Sequence, residues 1–367
     1  MSEQLIQPWN HEENPNDFYV PDYIENMAFQ VMEHYDLTPT DLTVMATKAD
    51  LGGAIWRMET DKGTFSLKIL HRRPTKSKFS LGAQEYLVME KQMRVPAIIK
   101  TITGENYIEM GGKLWFVAEW VQSLYQVEQD IDGTRKLCTA LGEFHKLSKG
   151  YVPPPEAEMS SRLHRWPRTY ARMEKKFRWF HEVAEAYPEM PVSSTVLSVV
   201  DMFKEQVSEA RKRLAHSSYD EIVARGISDT GLVHQDYGWS NAQMGENGMW
   251  IIDLDGVAFD ITIRDLRKLI NDRMHSLGVW DIQWIREMIE AYEQSNPISD
   301  EVYEILLIDL ALPNLFYKNV KEILYSPTIT MTEELDQELK SIIALEDSKW
   351  NVLEELAKDR KGGNQET

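Results

Sequence analysis

The sequence predicts an α+β protein of two lobes: a small N-terminal lobe built on an antiparallel sheet and a larger, mostly helical C-terminal lobe. Three observations predict it. Residues 42–46, 54–60 and 64–71 are short strand-like runs, and Asp61-Lys62-Gly63 between two alternating runs is a hairpin signal. From residue 130 onward, most long segments carry apolar residues at helical spacing. Within that helical part, residues 231–256, GLVHQDYGWSNAQMGENGMWIIDLDG, read as two short strands with a loop between them and a carboxylate at each strand end.

In chain order, residues 1–20 read as a flexible arm. An amphipathic helix over 21–35 follows, with Ile24, Met27, Ala28, Val31, Met32 and Tyr35 on one stripe. Thr38-Pro39 ends it, because the residue before proline is pushed out of the helical region. Gly52-Gly53 lies where a turn covering a nucleotide would fall, although two glycines in a loop also make an ordinary turn. Lys68 stands among apolar residues on a strand, placed to face a cleft or to be solvated at an edge. Seventeen residues later Glu85 sits in a helix over 78–93. A strand lysine with a helix glutamate is the ion pair that orients nucleotide phosphates in kinase-type lobes; the competing reading of Glu85 is a surface carboxylate.

Strands over 95–101, 107–110 and 114–119 complete the small lobe, residues 21–120. Residues 120–123 then form a hinge, where backbone groups of Glu119 to Val121 would face an adenine ring. The helical lobe spans 121–358. Its first helix, 130–149, carries His145 beside an apolar stripe, read as a hydrogen-bonded structural residue. Residues 161–180 are locally basic and rich in Trp, Tyr and Phe, read as a solvated face with packed aromatics. Helices over 261–276, 280–294, 299–325 and 331–358 follow, and 359–367 read as a disordered tail.

Composition narrows the function. The chain has 367 residues, 43% hydrophobic and 27% charged, as in an ordinary globular protein. Its 59 acidic against 40 basic residues give a net charge of −19, which disfavours nucleic acid and anionic membrane as partners. The single cysteine, Cys138, excludes an intramolecular disulfide and a Cys-based zinc site. The polar, acidic N-terminus does not read as a signal peptide, and no run of about 18 apolar residues could span a bilayer. Synthesis in the cytoplasm is expected. Neither G-x-x-x-x-G-K-[ST] nor G-x-G-x-x-G occurs, which argues against a P-loop and a Rossmann site.

The chemistry concentrates in the 231–256 segment. His234-x-Asp236-x-x-x-x-Asn241 follows a short apolar run, and a second run ends at Asp253-Leu-Asp255, Asp253 standing twelve residues after Asn241. That is the layout of a phosphoryl-transfer site, in which one Asp accepts a hydroxyl proton while an Asn and a second Asp hold Mg²⁺ on a nucleotide. The ligand types suit the ion, since hard cations take carboxylate and amide oxygens. Asp265, near a helix start, is placed to cap that helix or to hold the loop through backbone N–H groups.

HQDYGWSN, WIIDLDGVAFD and IRDLRKLI together resemble the aminoglycoside phosphotransferase and choline kinase superfamily, which has a protein-kinase-like two-lobed fold. More closely, they resemble the spore-coat CotS/CotI family of Bacillus-type bacteria, to which SRLHRWPRTY and KGYVPPP are also similar. The resemblance covers nearly the whole chain, from Tyr35 to Leu353. It implies ATP and Mg²⁺ as cofactors and a small hydroxyl-bearing molecule as substrate. It implies Asp236 as catalytic base, Asn241, Asp253 and Asp255 at the metal, Lys68 and Glu85 on the phosphates, and His234 and Asp265 as braces of the catalytic loop. Gly238 stands where Ser/Thr protein kinases carry Lys, which argues against protein-kinase activity, and Gln235 stands where many relatives have Gly. The resemblance also implies synthesis in the mother cell, residence in the spore coat and other coat proteins as partners. The competing reading is a catalytically silent coat component on a kinase-like scaffold.

Overall fold

The computed structural model describes residues 4–9, 19–227 and 230–360. In chain order the N-terminal part holds α1 (Asp22–Met32), β1 (Pro39–Lys48), β2 (Gly53–Thr60), β3 (Gly63–Ile69), α2 (Pro74–Met89), β4 (Ile98–Ile99), β5 (Ile108–Met110) and β6 (Lys113–Glu119). Helices α3 (Ile131–Leu147), α4 (Trp166–Ala186), α5 (Pro191–His216) and α6 (Tyr219–Ala224) lead to β7 (Leu232–Val233). The hairpin strands β8 (Ala242–Gly245) and β9 (Gly248–Ile251) and the short β10 (Ala258–Phe259) come next. The chain continues with α7 (Ile263–Leu277), α8 (Ile282–Glu293), α9 (Asp300–Leu310), α10 (Asn314–Val320), α11 (Pro327–Thr330) and α12 (Glu333–Leu356). The class is α+β, with an antiparallel sheet in the N-terminal region and a mostly helical C-terminal region, as the sequence predicts.

Two compact units result. The described residues of Met1–Val127, Gly150–Ser160 and Gly238–Ala258 form the first; those of Glu128–Lys149, Ser161–Tyr237 and Phe259–Thr367 form the second. This differs from the single boundary at residue 120 that the sequence suggests. Hydrogen bonds give the reason. Tyr125 and Met244 exchange both backbone bonds, at 3.0 and 2.8 Å, and Ile251 N–H donates to Arg94 C=O at 2.9 Å, so the β8–β9 hairpin joins the first unit. Tyr151 O–H donates to Phe79 C=O at 2.7 Å and ties in the segment after residue 150.

In the first unit the sheet runs β1-β2-β3-β6-β4, with β5 also pairing β6. Strand residues alternate between faces, and the two faces do different things. Trp56, Met58, Leu67, Ile69, Trp115 and Val117 point to a core closed by Ile24, Ala28 and Val31 of α1. Trp56 and Trp115 stack there with centroids 5.8 Å apart, an arrangement worth about 0.5–1.5 kcal/mol beyond burial. The register sets Ile55 opposite Lys68, and Lys68 opposite Phe116, on the other face. A one-residue slip would send Lys68 into the core, so the apolar alternation fixes its direction.

The arm reading is corrected where residues are described. Ile6 and Val20 are buried in the α1–sheet core, and Ile6 N–H donates to Gly111 C=O at 2.9 Å. The rest of that arm, residues 1–3 and 10–18, lies outside the described residues. At the other end Asp359 pairs with Arg286 at 2.7 Å and Arg360 with Glu293; residues 361–367 of the expected tail lie outside the described residues.

The second unit packs α4 and α5 around an aromatic cluster in which Phe177 stacks on Phe316 and Phe203 lies 4.6 Å from Phe316. The aromatic residues of the basic stretch therefore mostly pack, as expected; Trp179 is the exception, 40% exposed with Lys175 over its ring.

Candidate functional site

Lys68 leaves the second sheet face into a cavity of about 560 Å³ in the first unit, within the size range of small-molecule sites. Its walls are largely apolar, with Ile55, Phe116, Ala118, Val121, Leu124 and Ile252 among them. The Lys68 Nζ lies 2.7 Å from Asp253 Oδ1 and 2.8 Å from Asp255 Oδ2. Burial disfavours the ammonium charge, but the two carboxylates outweigh burial and push Lys68 well above the usual lysine range.

The backbone makes this meeting possible. Asp253 adopts φ 59° and ψ 60°, the left-handed region that non-glycine residues rarely enter. The chain then turns at once into a 3₁₀ turn, Leu254–Gly256, which brings Asp255 round beside Asp253. Residues held in such conformations cost about 1–3 kcal/mol and cluster where function requires them. Asn241 closes the loop before β8: its N–H donates to Gly238 C=O at 3.1 Å and its C=O accepts from Ile252 N–H at 2.9 Å.

The expected pair between Lys68 and Glu85 is not the one formed. Glu85 engages Lys100 and Asn106, which lie 2.5 Å from each other. Adjacent helix positions point about 100° apart, and it is Gln84, donating to Pro96 C=O at 2.7 Å, that lines the cavity from α2. The helical stripe in the sequence did not separate residue 84 from 85.

The two glycines have different jobs. Gly52, at φ 67°, caps the 3₁₀ turn Ala49–Leu51 and is not part of the cavity wall. Gly53 lines the cavity, and a Cβ on it would stand 2.9 Å from the Cβ of His71. Glu119 and Val121 also line the cavity, but the Glu119 N–H is spent on Ala97 C=O at 2.9 Å. Sequence reasoning missed Lys48 and His71 in this wall. No motif marks them; they are strand-end residues whose positions follow from sheet register. Burial and the nearby Lys48, Arg72 and Lys68 cations hold His71 below the usual histidine range, with Asp255 opposing.

The remaining expected residues lie in the second unit, around Asp265. This carboxylate is 1% exposed. Its Oδ2 accepts the His234 N–H at 2.5 Å and its Oδ1 the Gln235 N–H at 3.1 Å. His145, also fully buried, sets Nε2 3.3 Å from Asp265 and Nδ1 2.8 Å from the Tyr292 hydroxyl. Burial would raise the Asp265 pKa, but the bonds from His145 and the His234 backbone outweigh it and hold the carboxyl below its usual range. The His145 pKa is itself lowered, chiefly by burial against the pull of Asp265, so a neutral ring donates from Nε2 and accepts at Nδ1. Gln235 sits at φ 72°, a conformation easiest for glycine, and the Asp265 bond to its N–H secures it. The His234 ring packs edge-on between Phe144 and Tyr237. Asp236 is exposed, with Lys268 of α7 2.9 Å from its Oδ1, a partner the sequence did not disclose.

The donors fit a divalent cation. Among the described residues no three His, Cys, Asp or Glu side chains cluster into a metal cage. Mg²⁺, however, keeps several waters and uses one or two carboxylates together with phosphate oxygens. Asp253 and Asp255, converging on one ammonium, offer that pair.

Solved structures resemble this chain over most of its length. An aminoglycoside phosphotransferase from Alicyclobacillus acidocaldarius is 14% identical, with a TM-score of 0.73, covering 94% of this chain and 97% of its own. Amicoumacin kinase hAmiN, solved with AMP-PNP, Ca²⁺ and Ami, is 16% identical with a TM-score of 0.59, covering 92% and 96%. At such identities the likeness shows the fold, that of kinase-like phosphotransferases. Spore coat protein S of Bacillus subtilis (strain 168) is 27% identical over 340 residues, 92% of this chain and 96% of that one. The family described as "Spore coat putative kinase YutH" matches residues 32–356, and the chain belongs to that family.

Proposed function

We propose that the protein is an ATP- and Mg²⁺-dependent phosphotransferase acting on a small hydroxyl-bearing molecule, made in the mother cell and placed in the spore coat among other coat proteins. The observation that carries the reading is the meeting of Lys68, Asp253 and Asp255 in an apolar-walled cavity. The coat placement rests on the relative named as a spore coat protein. Asn241, Asp253 and Asp255 hold the metal, which when bound neutralises charge on the transferred phosphoryl group. Lys68 takes phosphate oxygens, the apolar wall near Phe116 and Val121 receives the base, and Gly52 and Gly53 shape the turn above it. Asp236 accepts the proton of the acceptor hydroxyl. Asp265 and His234 hold the backbone that carries Asp236. Glu85 acts at one remove, through Lys100 and Asn106.

The test is calorimetry of ATP binding, with and without Mg²⁺, on the wild type and Asp253→Ala. Mg²⁺-dependent binding that the variant loses is expected. A folded wild type that binds no ATP sinks the phosphotransferase reading and leaves a coat scaffold. Turnover retained by Asp236→Asn removes that residue as the base.

A further inference from the structure

Lys68 is over-neutralised. One ammonium faces two carboxylates, so the trio carries a net charge of −1 and by itself repels a polyphosphate. The same cavity wall carries a second cation, Lys48, and the imidazole of His71, and the sheet brings them to one edge. Lys48 ends β1 and pairs in register with Gly53, the first residue of β2. His71 follows β3, against Gly53, its Cβ 2.9 Å from where a Gly53 side chain would begin. Three neighbouring strand ends thus deliver Lys48, bare Gly53 backbone and His71 to one edge of the cavity that also holds Lys68. Lys48 is exposed and forms no ion pair among the described residues. A side chain at 53 would collide with His71, so glycine keeps that part of the edge bare.

We propose that Lys48 and His71 form a clamp for the terminal phosphates of a nucleoside polyphosphate, Lys48 supplying the positive charge that Lys68 spends on Asp253 and Asp255 and His71 supplying an imidazole N–H donor. This deepens the nucleotide reading above and rests on it. It also accounts for a cavity of this kind in a chain without a glycine-rich phosphate motif: side-chain donors take the part of backbone N–H groups.

The experiment titrates adenosine, ADP and inorganic tripolyphosphate, each with Mg²⁺, into the wild type, Lys48→Ala, Lys48→Arg and His71→Asn. Charge-assisted contacts of this type are worth about tenfold or more in affinity each. ADP and tripolyphosphate are expected to weaken about tenfold in Lys48→Ala and His71→Asn. Adenosine affinity should stay unchanged, which also certifies the fold, and Lys48→Arg should bind near the wild-type level. ADP affinity unchanged in both variants overturns the clamp while sparing the nucleotide reading. Equal loss of adenosine and ADP overturns it too, because the residues would then shape the cavity and not hold phosphate. A wild type that binds neither adenosine nor ADP overturns the nucleotide reading itself, and the clamp with it.

Discussion

Lys268 Nζ lies 2.9 Å from Asp236 Oδ1, one helical turn along α7 from Asp265, which accepts two backbone N–H groups of the same loop. One helix face therefore grips the loop at its backbone and at its exposed carboxylate. Asp236 is 73% exposed at its side chain, and pairs this exposed contribute at most about 1 kcal/mol to stability. The aim of the carboxylate is what the pair supplies. Lys268→Met is expected to leave thermal unfolding within about 2 °C of the wild type. If Asp236 is the base, it should lower kcat about 10- to 100-fold with little change in KM for ATP. An unchanged kcat in a variant with measurable turnover would show that the pair only decorates the surface.

Lys68 between two aspartates predicts a second behaviour. Removing the ammonium leaves Asp253 and Asp255 facing each other in a partly buried site. Lys68→Met should therefore lose about 2–3 kcal/mol of stability. Millimolar Mg²⁺ without nucleotide should recover part of that loss, because a divalent cation can take the place of the ammonium between the carboxylates. Differential scanning fluorimetry with and without MgCl₂ reads this directly. The same small Mg²⁺ shift in wild type and variant would mean that the two carboxylates cannot share an ion.

Asp260 gives a pH-dependent prediction. It is fully buried, accepts the Trp166 indole N–H at 2.7 Å, and has Arg264 Nη1 3.6 Å from its Oδ2. Burial pushes its carboxyl up to about 6, against the opposing pull of Arg264 and the Trp166 bond. The folded pKa thus lies above the unfolded value near 3.9. The folded state holds this proton more tightly, so stability falls as pH rises from about 4 through about 6, by about 3 kcal/mol in all. Asp260→Asn keeps an oxygen for the indole and carries no charge. Its melting temperature relative to wild type should climb between pH 4.5 and pH 7.5; a difference that stays flat across that range would refute the buried-charge account.

The sheet, the hairpin at Asp61-Lys62-Gly63 and the helical second unit were legible because period-2 and period-3.6 patterns report burial directly. The nearness of Asp253 and Asp255 was legible because they stand two residues apart at a strand end. What stayed hidden depends on tertiary geometry. Which of Gln84 and Glu85 turns to the cavity is a rotation of 100° that a sparse apolar stripe leaves open. Lys48 and His71 reach one cavity wall through register across three strands, and Lys268 reaches Asp236 from 32 residues away in sequence. The β8 strand was read as loop because Ala-Gln-Met-Gly has weak strand character; its partner Tyr125 stabilises it from far along the chain.

Asp265 carries the last prediction. Its two oxygens serve two backbone donors and the His145 ring; His145 and His234 are buried and Gln235 is half-buried. An amide at this position turns an NH₂ toward a backbone N–H, leaving a buried donor without an acceptor, which costs about 2–4 kcal/mol. Asp265→Asn should therefore melt several degrees below the wild type at pH 7. Asp265 has a folded pKa below its unfolded value. Its contribution is fully present above the unfolded value near 3.9 and is lost as pH falls through the lower folded pKa. The gap between wild type and variant should hold steady from pH 7 to about pH 5 and close only in acid below about pH 4. His145, neutral when folded, destabilises both proteins below about pH 6.5, because the unfolded chain takes up the proton that the folded one excludes. A gap that closes near pH 6 would place the decisive titration on His145 and not on Asp265.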